Sequence, residues 1–115
     1  MNVEKYLSAQ LAAMLDVPVS PTVPANRPAR FVTVELTGGE REECGIIRPN
    51  VAVQSWASTR KDASELADVV DKAVRSLPDV EHAKVTHVEG TIPYNYPQDE
   101  HNPRYQAYYN LVAHD

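Results

Sequence analysis

The sequence predicts an α+β domain in which an antiparallel or mixed sheet of about four strands carries two helices on one face. Two segments place apolar residues at the three-to-four spacing of a helix. Four others alternate apolar and polar residues, as half-buried strands do. Segments rich in proline or glycine separate them. At 115 residues the chain is long enough for one domain with one hydrophobic core.

The first helix should follow Asn2, whose side chain can cap a helix, and Glu4 in its first turn suits the helix dipole. It should end near Asp16, because Pro18 disfavours the helical conformation at Val17. The second helix should follow the capping signal of residues 58–62 and end before Pro78.

Between the first helix and the first long strand, four prolines fall within residues 18–28. A helix or a central strand does not tolerate that density of proline. We expect a short edge strand followed by a stiff arm, packed across the domain or against a neighbour. Residues 93–103 form a second proline-marked loop.

The predicted strands cover residues 31–36, 50–57, 83–92 and 104–113. The first two should form a hairpin, with Thr37, Gly38 and Gly39 ending the first strand and residues 40–43 forming a charged tip. Irregular alternation in the third strand predicts a bulge or register change. The residues predicted to form the core are Val34, Val53, Trp56, Leu66, Val70, Val74, Tyr105, Tyr109 and Leu111.

The composition of the chain argues against several classes of function. The net charge of −5 argues against duplex DNA as the main ligand. No apolar run approaches the roughly 18 residues that span a bilayer, and the N-terminal segment does not resemble a secretory signal. The lack of such a run predicts no membrane partner. A lone cysteine, Cys44, fits a reducing compartment, so we expect synthesis in a cytoplasm.

No pattern in the sequence predicts an enzyme. Phosphate-binding glycine motifs do not occur, and Gly38 and Gly39 indicate a turn. His82 and His87 are spaced poorly for a shared metal ion. Cys44 follows two glutamates, which disfavour a thiolate, so a buried or inert cysteine is expected. We predict no catalytic residues, metal or cofactor.

Two features suggest contacts between subunits. Tyr94 and Tyr96 lie in the second proline-marked loop, and tyrosine is enriched at the centres of interfaces. Arg27, Pro28 and Arg30 end the arm, where proline fixes the approach of two cations. The arm and the tyrosine loop are candidates for two different patches.

The sequence resembles tail terminators of long-tailed, siphovirus-type actinobacteriophages. The similar segments are residues 23–34 (VPANRPARFVTV) with the double glycine 38–39, residues 51–57 (VAVQSWA) with the alanine-rich helix behind them, and residues 103–108 (PRYQAY). One departure is the acidic loop beginning at Glu40 and Arg41, where the family has a more basic or neutral connection. Both residues are candidate interface positions.

The resemblance implies a non-enzymatic virion protein at the tail–neck junction. It implies a ring-forming subunit, in a ring of six, that caps the head-proximal end of the tail tube and stops its polymerisation. The implied partners are further copies of the chain, the major tail tube protein and the head–tail connector or neck proteins, with genomic DNA only passing through the lumen. Two alternatives stay open: another phage neck or connector ring protein, and a small host α+β ligand-binding or regulatory module.

Overall fold

In the computed structural model, which describes residues 1–115, two helices and one six-stranded sheet form an α+β fold. The helices are α1 (Val3–Met14) and α2 (Arg60–Arg75), and a 3-10 turn (Leu77–Asp79) follows α2. The strands are β1 (Val19–Ser20), β2 (Phe31–Arg41), β3 (Ile46–Trp56), β4 (Val85–Gly90), β5 (Tyr94–Asn95) and β6 (Arg104–His114). The predicted α+β class is confirmed. None of the helices is long and apolar enough to cross a membrane.

The sheet is mixed, with the strand order β1-β2-β3-β6-β4 and with β5 paired to β6 beyond the end of β4. Only β1 pairs in parallel; the other strands are antiparallel. The sheet has two short strands beyond the four long ones that were predicted. One of them, β1, is the short edge strand expected before the arm, and β5 was not predicted. Both β1 and β5 lie in the proline-marked segments, where missing backbone N–H groups keep a strand to two residues.

The hairpin of β2 and β3 is longer than the sequence suggested. The glycine pair does not end β2: pairing continues past a register shift between Leu36 and Gly38, as far as Arg41 opposite Ile47. Gly39 permits this close pairing, because a Cβ there would lie 2.5 Å from the carbonyl oxygen of Arg48. The turn falls later, around Cys44 and Gly45, whose φ angles are 62° and 75°.

The helix termini follow the capping signals. The Asn2 side chain accepts a hydrogen bond from the Lys5 backbone N–H (3.0 Å), and that of Thr59 accepts one from Asp62 (3.1 Å). Helix α1 ends at Met14, two residues before its expected limit. In β4 the register shifts between Val85 and His87, which confirms the predicted irregularity.

Both helices pack on the same face of the sheet and enclose one hydrophobic core. Of the predicted core residues, seven lie in this core: Val34, Val53, Leu66, Val70, Val74, Tyr109 and Leu111. Trp56 is buried, at 3% exposure, but it lies on the opposite face because side chains alternate along β3. Tyr105 is only half-buried, since it lies near the start of α2, where its hydroxyl accepts a hydrogen bond from Arg60 (3.4 Å). Its assignment to the core was wrong.

Candidate functional site

The sheet face without helices is partly covered by the arm, residues 21–30. Pro21 and Val23 of the arm line a shallow pocket together with Gln54, Trp56 and Arg104 of the sheet. The arm therefore folds back over its own domain, which is one of the two arrangements that the sequence allowed.

At the end of the arm, two arginines flank the only tryptophan of the chain. The rings of Phe31 and Trp56 stack with centroids 5.3 Å apart and planes 10° from parallel. The guanidinium carbon of Arg27 lies 5.1 Å from the Trp56 ring centroid, and that of Arg104 lies 5.0 Å from it. Arg104 also lies 4.8 Å from the Tyr96 ring centroid. We call these five residues the cation–aromatic stack; such contacts are worth about 0.5–2 kcal/mol each.

Hydrogen bonds to the second proline-marked loop hold Arg27 in place. Its Nη1 donates to Asn102 Oδ1 (2.8 Å) and its Nη2 donates to Gln98 Oε1 (3.0 Å). Asn102 is oriented in turn by its own bonds to the Asp99 carboxylate (2.9 and 3.0 Å). The Asn102 side chain, followed by the His101 backbone N–H, lowers the pKa of Asp99 below its usual value. Arg27 thus ties the arm to this loop.

Next to the stack, a row of hydrogen-bonded polar side chains crosses four strands. Trp56 Nε1 donates to the Thr33 hydroxyl (3.0 Å), which donates to Gln54 Oε1 (2.7 Å). Gln54 Nε2 donates to Gln106 Oε1 (2.8 Å), and Gln106 Nε2 donates to the Tyr94 hydroxyl (2.9 Å). We call Thr33, Gln54, Gln106 and Tyr94 the polar ladder. Because its members are directly opposite one another in the strand register, it aligns four strands and fixes the base of the tyrosine loop.

The end of the sheet that carries the stack is rich in arginines without ion-pair partners. We call it the arm end, and its arginines are Arg27, Arg30, Arg60 and Arg104. None of the four forms a salt bridge. The other three arginines of the chain all do so: Arg41 with Asp115, Arg48 with Glu42 and Arg75 with Asp71. The arm end therefore has guanidinium groups available for an acidic partner.

The opposite end of the β2–β3 hairpin is acidic. Residues 40–45, which we call the hairpin tip, are all exposed. Glu42 pairs with Arg48, and Arg41 pairs with Asp115, which leaves Glu40 and Glu43 without a cationic partner. The Met1 ammonium and then Arg41 hold the pKa of Asp115 at about 2. From Phe31 at the arm end to Arg41 at the hairpin tip, β2 advances ten residues, which separates the two ends by about 33 Å.

The predicted interface residues divide between these two ends. Five lie at the arm end, namely Arg27, Pro28, Arg30, Tyr94 and Tyr96, and two lie at the hairpin tip, namely Glu40 and Arg41. The expectation that the arm and the tyrosine loop are two separate patches was wrong. They form one surface, because Arg27 bonds to Asn102 and Arg104 stacks on Tyr96.

Sequence reasoning missed the polar ladder and the role of Arg104. Thr33, Gln54 and Gln106 are each at most 5% exposed, although none faces the hydrophobic core. A polar side chain at an alternate position of three successive long strands was the available signal. What the sequence did not contain was the register that brings the three together.

His101 lies at the arm end, where it lines a pocket together with Arg27 and Trp56. His87 and Cys44 lie away from the stack, toward the other end of the sheet. His82, His87 and His101 are exposed, each beside a glutamate, and no group of three His, Cys, Asp or Glu side chains is arranged to hold a metal ion. Cys44 is exposed at the hairpin tip rather than buried.

Comparison with known proteins assigns no family to the chain. No protein-family model matches it, and no curated protein does either.

Proposed function

We propose that this protein is a structural subunit of a phage tail terminator, which forms a ring at the head-proximal end of the tail tube. One observation carries the proposal: the segments that resemble the terminator family meet at one place. Arg27 comes from residues 23–34, Trp56 from residues 51–57 and Arg104 from residues 103–108, and the two guanidinium groups lie within 5.1 Å of the same indole ring centroid. These separate similarities thus build a common surface.

The shape and charge of the subunit support ring assembly. A closed ring of identical subunits needs a heterologous interface, with two different patches on each copy. The molecule is elongated, with principal extents of 45 × 25 × 24 Å, and the arm end and hairpin tip lie at its opposite ends. One end has unpaired arginines and the other has unpaired glutamates. The two patches are therefore distinct in position and in charge.

In this assembly the arm is an interface element rather than a linker. The stacking of Arg27 on Trp56 and its hydrogen bonds to Gln98 and Asn102 hold the arm against the sheet, so that little conformational entropy is lost when a partner binds. One side of the ring contacts the last ring of the major tail tube protein, and the other contacts a connector or neck protein. Genomic DNA passes through the lumen.

The test is to add the purified protein to a growing tube of the major tail protein. We expect the gene for that protein to lie immediately downstream. Negative-stain electron microscopy should show a ring on one end of each tube, and growth at that end should stop. Tubes that grow at the same rate at both ends would refute a terminator. Binding to a connector without binding to tubes would instead identify another neck ring protein, and a monomer that binds a small ligand would favour the host module.

A further inference from the structure

We propose that the arm end of one copy binds the hairpin tip of the next copy, with arginine–carboxylate pairs between Arg27 and Arg30 on one side and Glu40 and Glu43 on the other. This inference rests on the proposed function, because the occupant of the arm end is a second copy of the chain. It goes further by assigning which surfaces meet within the ring.

The arm end has unused hydrogen-bond donors. A guanidinium group carries five N–H donors. Arg27 uses two of them, on Asn102 and Gln98, while Arg104 uses one, on the Tyr96 carbonyl oxygen (2.7 Å). Arg30 uses none and is exposed. The stack holds the guanidinium groups of Arg27 and Arg104 in fixed positions. This arrangement is suited to binding carboxylates through paired hydrogen bonds.

The hairpin tip supplies the matching acceptors. Glu40 and Glu43 are exposed and have no cationic partner within the chain. The pairing of Glu42 with Arg48 braces the two strands behind the turn. The acceptors therefore sit on an ordered hairpin.

The two surfaces cannot meet within one copy. They lie at opposite ends of β2, about 33 Å apart for ten residue steps. Contacts between them must therefore run from copy to copy, always in the same direction, and such contacts close into a ring when the rotation between copies allows it. A second copy is favoured over nucleic acid because the chain carries the complementary acidic tip itself and has a net charge of −5.

The lone Cys44 provides a direct test, since it lies within the hairpin tip. Ala29 is exposed beside Arg30, so Ala29→Cys places a second thiol at the arm end. The A29C protein should be oxidised mildly, both alone and bound to tubes. It should then give a series of disulfide-linked multimers on a non-reducing gel. The wild-type protein and Ala9→Cys, on the exposed side of α1, should give nothing larger than sporadic dimers. A yield of disulfide-linked multimers that is no higher in A29C than in A9C would overturn the proposal.

Charge reversal gives an independent test. Arg30→Glu alone and Glu43→Arg alone should each stop assembly, and sedimentation velocity should then show the 12.8 kDa monomer. Mixing the two variants should restore assembly, because every arm end then meets a tip of opposite charge. Such a mixed ring must alternate, so it closes only with an even number of subunits.

The outcomes separate this inference from the proposed function. If R30E and E43R each form rings as the wild-type protein does, the arm–tip contact is wrong and the ring proposal stands. If the wild-type protein stays monomeric even beside tubes, the proposed function fails. If R30E assembles normally but loses binding to a short DNA duplex that the wild-type protein binds, the arm end is a nucleic-acid surface and the inference is overturned.

Discussion

The Tyr109 hydroxyl donates a 2.5 Å hydrogen bond to Asp71 Oδ1, which joins the middle of β6 to the helix α2 above it. Arg75 holds the same carboxylate from the solvent side, at 3.1 and 3.2 Å. The ring of Tyr109 is part of the hydrophobic core, and the side chain is 1% exposed. Burial, followed by the hydrogen bond to Asp71, raises the pKa of Tyr109 above its usual value of 10.0.

Removing this hydroxyl should destabilise the fold. We expect Tyr109→Phe to lower the free energy of unfolding by about 1–3 kcal/mol, because a hydrogen bond to a charged acceptor is lost while the ring still fills its place. Urea denaturation followed by circular dichroism measures the difference. Tyr108→Phe is the matched control: that tyrosine is 43% exposed, and its variant should stay within about 0.5 kcal/mol of the wild-type protein. Equal losses in both variants would contradict this account of Asp71.

The raised pKa of the Tyr109 hydroxyl leads us to expect a loss of stability at alkaline pH. The folded state raises the pKa of Tyr109, so its contribution is fully present below the unfolded value of 10.0 and declines as the pH rises above it. The stability difference between the wild-type protein and Y109F should therefore shrink above about pH 10. Unfolding curves at a series of pH values from 8 upwards in both proteins test this. A constant difference across the range would show that Tyr109 has the same pKa in both states.

The core face of the sheet follows from the sequence, and the other face does not. Alternation in β2, β3 and β6 identified Val34, Val53 and Leu111 as core residues, because burying an apolar face is a local demand that each strand makes by itself. Trp56 was predicted as a core residue, but it is buried on the opposite face of the sheet. Its place in a stack with Arg27 depends on an arm 26 or more residues earlier in the chain, and no local pattern encodes such a contact.

Replacing core residues of α2 should have a large effect that its exposed neighbours lack. We expect Leu66→Ala to cost about 2–5 kcal/mol, because the side chain is 1% exposed and its removal leaves a cavity beneath the helix. Val69→Ala is the control, since Val69 is 52% exposed and alanine is a strong helix former. The midpoints of urea denaturation decide the outcome. A larger loss in V69A than in L66A would mean that α2 is rotated about its axis.

The polar ladder should behave as one coupled unit. Gln54→Leu leaves Gln106 Oε1 without its donor and the Thr33 hydroxyl without its acceptor, and we expect a loss of about 1–3 kcal/mol. Gln106→Leu should cost a similar amount. The double variant should lose less than the sum of the two, because neither buried amide is then left without the other. A double-mutant cycle measures this coupling, and strictly additive losses would show that the two amides do not interact.

The two arginines of the arm should differ in what they contribute to the fold. If Arg27 and Arg30 were both ordinary solvated surface cations, replacing either one with alanine would leave the stability nearly unchanged. Arg27, however, stacks on Trp56 and donates to two side-chain amides, so R27A should cost about 1–2 kcal/mol, while R30A should cost almost nothing. Trp56 is the only tryptophan, and its fluorescence should change in R27A and not in R30A. Emission that is unchanged in R27A would place the arm away from the sheet in solution and would remove the basis for treating the arm end as an ordered surface.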